Sequence, residues 1–216
     1  GSAIIVVNPL PNAYTVTGGG NYCTGGNGVA IGLNNSDAGI NYQLYNGGVA
    51  VGSPVPGTGS SISFGLITAP GTYTVKGVNT ATGCINTMSS STTVGVNPLP
   101  TVYFVTGGGT YCAGGSGFPI LLSNSASGVN YQLFRGTTPV GGAVAGTTGS
   151  GLNFGLQTTA GSYTVKATDA VTGCTNTMSG VITISVNPVP ASFNVTGGAN
   201  YCVGGSGVHI GLTGSV

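Results

Sequence analysis

One short segment occurs three times in this chain and sets its period. The copies begin at Asn8, Asn97 and Asn187, so they are spaced 89 and 90 residues apart. Such a period is longer than that of a solenoid repeat or of a single propeller blade, so each copy is expected to open a separate small domain. The predicted segments are the last strand of a preceding repeat at 1–7, repeat 1 at 8–96, repeat 2 at 97–186 and the truncated start of repeat 3 at 187–216.

The apolar pattern within each repeat predicts short β-strands. Val, Ile, Leu and Tyr alternate with polar residues over four to seven positions, and Gly, Asn, Ser and Pro separate the runs. The sequence Asn46-Gly47-Gly48 between two such runs is typical of a hairpin turn. About seven strands per repeat predict an all-β fold of tandem immunoglobulin-like antiparallel β-sandwiches joined by short Pro-rich linkers.

Residues 187–216 hold only the first two strands of a repeat. Two strands cannot bury an apolar face on their own. We expect the chain to be a window on a longer array of repeats; the alternative is that a neighbouring chain completes the fragment.

Paired prolines at each repeat start predict the linkers. Proline fixes φ and removes a ladder donor, so an Asn-Pro-x-Pro segment is an extended hinge rather than the interior of a strand. The predicted interdomain linker residues are Asn8, Pro9, Pro11, Asn97, Pro98, Pro100, Asn187, Pro188 and Pro190.

Charge is almost absent, and this excludes several classes of function. Nucleic-acid binding depends on Lys and Arg neutralising phosphates, and the chain has only three such residues in 216. No apolar run approaches the roughly 20 residues of a transmembrane helix. The five charged residues are Asp37, Lys76, Arg135, Lys166 and Asp169.

No catalytic centre is predicted. Asp37 and Asp169 lie in different repeats on turn-like segments, whereas acid–base chemistry needs carboxylates that act together. The single histidine, His209, occupies an outward-facing strand position and is predicted to be exposed, as are Lys76 and Lys166. There is no Cys-x-x-Cys pair, so no metal site is expected, and no cofactor is predicted.

The tyrosines leave one binding hypothesis open. Tyr14, Tyr22, Tyr42 and Tyr45 are interpreted as core residues, because repeated aromatic positions usually are. The alternative is that exposed tyrosines stack on sugars, with Tyr42 and its counterpart Tyr131 as the residues to test.

The cysteines predict one disulfide per repeat. Cys23 and Cys84 are 61 residues apart, Cys112 and Cys174 are 62 apart, and the partner of Cys202 would lie outside the chain. The alternative pairs Cys84 with Cys112 and Cys174 with Cys202, each 28 residues apart. In a conventional sandwich the loops that carry Cys23 and Cys84 lie at opposite ends, which counts against the first pairing. Either pairing indicates an oxidising, extracellular compartment.

Several motifs in combination resemble a known family. They are Val-Asn-Pro-Leu-Pro, Val-Thr-Gly-Gly-Gly-x-Tyr-Cys-x-Gly-Gly, Asn-Tyr-Gln-Leu and Thr-Gly-Cys-x-Asn-Thr-Met. They resemble the tandem Ig-like repeats of very large proteins exported by the type IX secretion system of gliding and related bacteria, including gliding-motility-associated surface adhesins. The resemblance implies a cell-surface or secreted protein whose repeats form a stalk or filament shaft, without catalytic residues.

The expected function is therefore structural or adhesive. We interpret the chain as a stalk or shaft segment of a large extracellular bacterial surface protein or filament. Its expected partners are neighbouring repeats, identical chains in a filament and surface glycans, and neither nucleic acid nor a transmembrane segment is expected. The alternatives are a glycan-binding module and a passive spacer in a secreted multidomain enzyme.

Overall fold

The computed structural model describes residues 1–215, and in this range every regular element is a β-strand. Val216, the last residue of the predicted third repeat, lies outside the described residues. The chain forms two compact units. The first contains Gly1–Thr101 together with Thr168–Asn176, and the second contains Val102–Ala167 together with the residues from Thr177 onward.

The strands of residues 16–97 form two sheets. One has the order β1-β3-β6, and the other has the order β2-β9-β7-β4-β5, with β8 paired to β7. All pairings are antiparallel except that of β2 with β9, which is parallel. The strands are β1 Val16–Gly18, β2 Gly20–Cys23, β3 Val29–Leu33, β4 Ile40–Asn46, β5 Val49–Pro56, β6 Ile62–Ile67, β7 Gly71–Asn79, β8 Ile85–Thr87 and β9 Thr92–Asn97.

The strands of residues 105–187 repeat this topology. Their orders are β10-β12-β15 and β11-β18-β16-β13-β14, with β17 paired to β16 and with β11 parallel to β18. They are β10 Val105–Gly107, β11 Gly109–Cys112, β12 Phe118–Leu122, β13 Val129–Arg135, β14 Thr138–Ala145, β15 Leu152–Gln157, β16 Gly161–Asp169, β17 Thr175–Thr177 and β18 Ile182–Asn187. Two short strands follow and pair with each other, β19 Val195–Gly197 and β20 Ile210–Leu212.

Each pair of sheets encloses an apolar core that the alternation of residues dictates, because successive side chains of a strand point to opposite faces. In the first unit Ile31, Leu33, Tyr42 and Tyr73 pack in one cluster, each at most 1 % exposed. The hydroxyl of Tyr73 donates a 2.7 Å hydrogen bond to the Ala69 carbonyl, four residues upstream. This arrangement is the tyrosine corner of immunoglobulin-like sandwiches. The predicted all-β, Ig-like sandwich class is confirmed.

Two stretches differ from their predicted structure. Residues 1–7 form no strand in the structure, so their assignment to a preceding repeat stays a prediction. Alternating residues predict a first strand at 13–17, but only its last two residues are in β1, and a further strand, β2, follows directly. The proline-containing segment after Val49 extends β5 to Pro56, which is tolerated because β5 is an edge strand.

Glycines move the chain from one sheet to the other between β1 and β2. Gly18, Gly19 and Gly20 all have positive φ. A Cβ on Gly18 would lie 2.1 Å from the Ala30 carbonyl oxygen, and one on Gly19 would lie 2.8 Å from the Thr93 carbonyl oxygen. The triplet is therefore a close backbone approach.

The replacement Gly18→Ala is expected to destabilise the first unit by at least about 2 kcal/mol, because it adds a backbone clash to the strain of a positive φ. The matched control is Gly25→Ala, since Gly25 has the same φ of 81° but a Cβ there would meet nothing within 4 Å. Urea unfolding midpoints of both variants separate clash from strain. Equal losses in the two variants would show that the close approach to Ala30 contributes nothing.

Candidate functional site

The chemically distinctive feature of the structure is a disulfide between Cys23 and Cys174, whose Cα atoms are 5.6 Å apart and whose positions are 151 residues apart in sequence. Both cysteines belong to the first compact unit, because that unit includes Thr168–Asn176. In sequence, however, Cys23 belongs to the predicted repeat 1 and Cys174 to the predicted repeat 2. The bond therefore joins residues from two sequence repeats.

Strand pairing positions Cys23 beside the end of β9. In the parallel pair of β2 with β9, Cys23 lies opposite Asn97. The next residue holds the same carbonyl twice: the Thr24 N–H and the Thr24 hydroxyl donate to the Asn97 oxygen at 2.9 and 3.0 Å. Cys23 is thereby fixed next to the start of the Asn-Pro-Leu-Pro segment.

A tight turn after β16 positions Cys174. The Asp169 N–H donates to the Cys174 carbonyl at 2.9 Å, and the Cys174 N–H donates to the Thr172 hydroxyl at 3.3 Å. Two residues further on, the Asn176 side-chain amide donates to the Pro100 carbonyl at 2.9 Å. Cys174 is buried, with 1 % of its surface exposed. The disulfide therefore stands beside residues 97–100, which Thr24 and Asn176 hold at either end.

The predicted pairings Cys23–Cys84 and Cys112–Cys174 are wrong, and so is the alternative that joins Cys84 to Cys112 and Cys174 to Cys202. In the first unit Cys23 lies beyond the start of β7, because Gly71 shares its register with Val94 and Gly20. Cys84 follows the other end of β7. A nine-residue strand spans roughly 30 Å, whereas disulfide-bonded Cα atoms lie about 4.4–6.8 Å apart. Cys23 and Cys84 therefore lie at opposite ends of the sandwich, too far apart to form a disulfide.

The three remaining cysteines, Cys84, Cys112 and Cys202, form no disulfide within the described residues, and Cys84 is half-buried while the other two are exposed. Sequence reasoning missed the pairing because it compared only separations of 28 and about 60 residues. It also missed Asn176 and its counterpart Asn86, which donates to the Pro11 carbonyl at 2.7 Å. The signal for the two asparagines was the repeated sequence Cys-x-Asn-Thr-Met, whereas no repeated spacing marks Cys23 and Cys174 as partners.

The turn that carries Cys174 is held by a carboxylate. The pKa of Asp169 is lowered because its carboxylate accepts hydrogen bonds from the Thr172 N–H, the Thr172 hydroxyl and the Val171 N–H. A carboxyl whose folded pKa is depressed stabilises the fold above its unfolded pKa, near 3.8, and loses that contribution as pH falls through the folded value.

Asp169→Asn is therefore expected to flatten the loss of stability below about pH 4 while leaving neutral stability nearly unchanged. The chain supplies the precedent, since Asn79 occupies the same turn position and its Oδ1 accepts from the Ala81 and Thr82 N–H groups at 2.9 and 3.1 Å. Melting temperatures from about pH 6 to pH 3 would test this. Parallel curves for the two proteins would contradict it.

The other predicted site residues stay apart. Asp37 accepts hydrogen bonds from the side chains of Asn12 and Tyr14, and this contact raises the pKa of the Tyr14 hydroxyl. It does not meet Asp169 in one site, since the Asp37 carboxylate binds Asn12 and Tyr14 whereas the Asp169 carboxylate binds Val171 and Thr172. Lys76 and His209 are exposed as predicted, and Lys76 Nζ lies 5.1 Å from the centre of the Tyr45 ring.

Tyrosine burial settles which rings could meet a sugar. Tyr42 and Tyr131 are fully buried, and burial raises the pKa of both. The core interpretation is confirmed for Tyr42, while Tyr14 and Tyr22 are partly buried against the same cluster. Tyr45 is half-exposed, and Lys76 covers one face of its ring. The two tyrosines named as sugar-stacking candidates are therefore inaccessible.

Residues 1–215 hold no group of three or more His, Cys, Asp or Glu side chains close enough to bind a metal ion. No helix in this range could cross a membrane.

Solved structures of low sequence identity are similar to this chain. Fibronectin(III)-like modules of Clostridium thermocellum CbhA align with a TM-score of 0.44 and 16 % identity over 81 % of this chain and 95 % of theirs. A structure of a mouse coronavirus receptor-binding domain complexed with its murine receptor aligns with a TM-score of 0.42 and 14 % identity, over 80 % and 100 %. Chicken CNTN1 FN1–FN3 domains align with a TM-score of 0.36 and 11 % identity, over 81 % and 65 %.

Comparison with sequences shows a family for part of the chain. No curated protein sequence matches it. Residues 11–98 match a family model, and this range contains all nine strands from β1 to β9. The match and the disulfide suggest an extracellular domain, consistent with a structural or adhesive module. Residues 11–98 thus match the family described as Ig-like domain, CHU_C associated, which is linked to type IX-secreted proteins.

Proposed function

We propose that this chain is a stalk or shaft segment of a large extracellular bacterial surface protein, in which Ig-like repeats follow one another at the Asn-Pro-x-Pro linkers. The observation that carries the proposal is the Cys23–Cys174 disulfide, which covalently joins two sequence repeats beside residues 97–100. A bond at the boundary between two repeats is not explained by catalysis or ligand binding at any site in the described residues. A shaft does explain it, because a shaft must keep its repeats in line.

Hydrogen bonds to the linker support the same reading. The carbonyls of Pro11 and Pro100 accept from the side chains of Asn86 and Asn176 at 2.7 and 2.9 Å. Each bond removes freedom from a segment that proline already stiffens. The two contacts are made by matching residues of the two repeats, so the stiffening device is periodic.

Low charge also suits a shaft. With five charged side chains in 216 residues, neighbouring repeats or chains approach without electrostatic repulsion, and few cleavage sites after Lys or Arg are offered. Adhesion to a surface glycan remains the second function to test. The two tyrosines proposed to stack on sugars, Tyr42 and Tyr131, are buried in the cores, and no other contact among the described residues favours glycan binding.

Small-angle X-ray scattering of the oxidised chain would test the proposal. A shaft predicts a radius of gyration well above the roughly 17 Å of a compact domain of this length. The variant Cys23→Ser/Cys174→Ser should show a broader distance distribution, because its linker keeps its prolines and the Thr24 and Asn176 hydrogen bonds but loses the covalent bond. A compact oxidised chain, or specific retention of the chain on a glycan array, would contradict the shaft and favour a binding module.

A further inference from the structure

Cys84 forms no disulfide within the described residues, yet its surroundings match those of the bonded Cys174. The Asn79 N–H donates to the Cys84 carbonyl at 2.9 Å, and the Cys84 N–H donates to the Thr82 hydroxyl at 3.3 Å. The same two bonds hold Cys174, with the same lengths. The backbone that presents the sulfur is therefore already in the conformation that the disulfide uses.

Cys112 matches the other bonded cysteine in the same way. It lies opposite Asn187 in the parallel pair of β11 with β18, as Cys23 lies opposite Asn97. The N–H of the following residue, Ala113, donates to the Asn187 carbonyl at 2.8 Å. A Gly-Gly turn follows both cysteines, and the second glycine N–H donates to the cysteine carbonyl at 2.9 Å in one copy and 3.0 Å in the other.

Each of these thiols also stands at an Asn-Pro-x-Pro segment. The Cys84 Sγ lies 3.9 Å from the Asn8 carbonyl oxygen, and Cys112 adjoins Asn187. At the middle segment, which begins at Asn97, both positions are filled and bonded to each other. At the first segment only the Cys84 position is present, and at the third only the Cys112 position is present.

We propose that Cys84 and Cys112 are half-sites of the same cross-link. Cys84 takes the cysteine of a Tyr-Cys-x-Gly-Gly sequence from a repeat that precedes Asn8, and Cys112 takes the cysteine of a Thr-Gly-Cys sequence from a repeat that follows Asn187. Each repeat is then bonded to both neighbours, and no disulfide lies within a single repeat. The inference rests on the proposed shaft and gives it a covalent partner: a further Ig-like repeat of this type.

The chemistry is ordinary thiol oxidation. Two thiols lose two protons and two electrons as the S–S bond forms, and the electrons reduce a disulfide-containing oxidant by thiol–disulfide exchange. The oxidant in the test is oxidised glutathione.

An extended chain provides the test. A second copy of residues 97–186 is inserted directly after residue 186, with Thr175→Ser in the inserted copy as a mass mark at an exposed position. This chain has seven cysteines, two more than the five of the original. After refolding with glutathione, two disulfides should leave three free thiols, the same number as in the original chain. Peptide mapping should link Cys112 of the first copy to the marked Thr-Gly-Cys cysteine.

Two matched variants of the extended chain sharpen the count. Cys112→Ser in the first copy should raise the number of free thiols from three to four, because Cys174 of the inserted copy then has no partner. Cys84→Ser should lower them to two, because Cys84 has no partner there. Five free thiols in the unsubstituted extended chain, or a bond between Cys112 and the Cys174 of its own copy, would overturn the proposal.

A second insertion guards against misfolding. If the first extended chain does not fold, residues 8–96 are duplicated directly after residue 96 instead. The proposal again requires three free thiols. Cys23 of the first copy should then be bonded to Cys84 of the inserted copy. The shaft and the cross-link fail separately. Correct bonding in a chain whose scattering stays compact would defeat the shaft alone, whereas an elongated chain with five free thiols would defeat the cross-link alone.

Discussion

Replacing Cys23 and Cys174 by serine is expected to lower the free energy of unfolding of the first unit by up to about 5 kcal/mol. The bond closes a loop of 151 residues, and the chain-entropy model assigns about that stabilisation to a loop of this length. Part of the loss has a second origin, because Cys174 is only 1 % exposed and a serine there would bury a polar hydroxyl, which costs free energy.

The matched control is Cys84→Ser, which changes a half-buried thiol in the same turn without removing a disulfide. Guanidinium unfolding with and without dithiothreitol measures the difference. The reductant should bring the unsubstituted chain down to the double variant and leave the double variant unaffected. Because the chain has two units, the transition of each is followed separately. If the double variant unfolds at the same midpoint as Cys84→Ser, the Cys23–Cys174 bond does not stabilise the protein.

Tyr42→Ala is expected to cost the first unit about 4 kcal/mol, the usual price of removing a large aromatic side chain from a core. Tyr42 is fully buried and belongs to the cluster that joins the two sheets. Its hydroxyl oxygen also accepts a 2.9 Å hydrogen bond from the Asp37 N–H, which the variant leaves without a partner.

Tyr45→Ala is the control three positions along the same strand. Tyr45 is half-exposed and packs against Lys76, so its removal should cost about 1 kcal/mol or less. Thermal unfolding followed by circular dichroism compares the two variants. A Tyr42→Ala protein as stable as Tyr45→Ala would show that the ring is not a core element. It would also reopen the question of sugar binding at that position.

The strands and the core could be predicted because they depend on local periodicity. Alternation places Ile31, Leu33 and Tyr42 on inward faces whatever the rest of the chain does. Glycine-rich turns separate these strands, so the sequence also indicates where most of them end. Strand β2 could not be predicted in this way, because its four residues carry little apolar signal and are held by their parallel pairing with β9.

The cross-link could not be predicted from separations in sequence. Cys23 and Cys84 look like partners because they share a repeat, yet strand β7 holds them at opposite ends of one sandwich. The correct partner of Cys23 is 151 residues away and becomes visible only through register: Cys23 lies opposite Asn97, and Asn176, two residues past Cys174, binds Pro100. The identity of a disulfide partner is a property of topology, which spacing does not encode.

The parallel pairing of β2 with β9 has a mechanical meaning. While the Cys23–Cys174 bond is intact, it carries a load from β2 directly to Cys174 and leaves β9 inside the closed loop without tension. Once that bond is reduced, a load applied along the chain pulls β2 from its first residue and β9 from its last, so the two strands are drawn past each other along their length. The hydrogen bonds from Gly20↔Val94 to Cys23↔Asn97, and the parallel bridge between Thr15 and Ser89 before them, must then break together rather than one after another. Tension on a sandwich of this type is resisted in shear, the direction in which a β-ladder is strongest, and β11 with β18 repeats the arrangement.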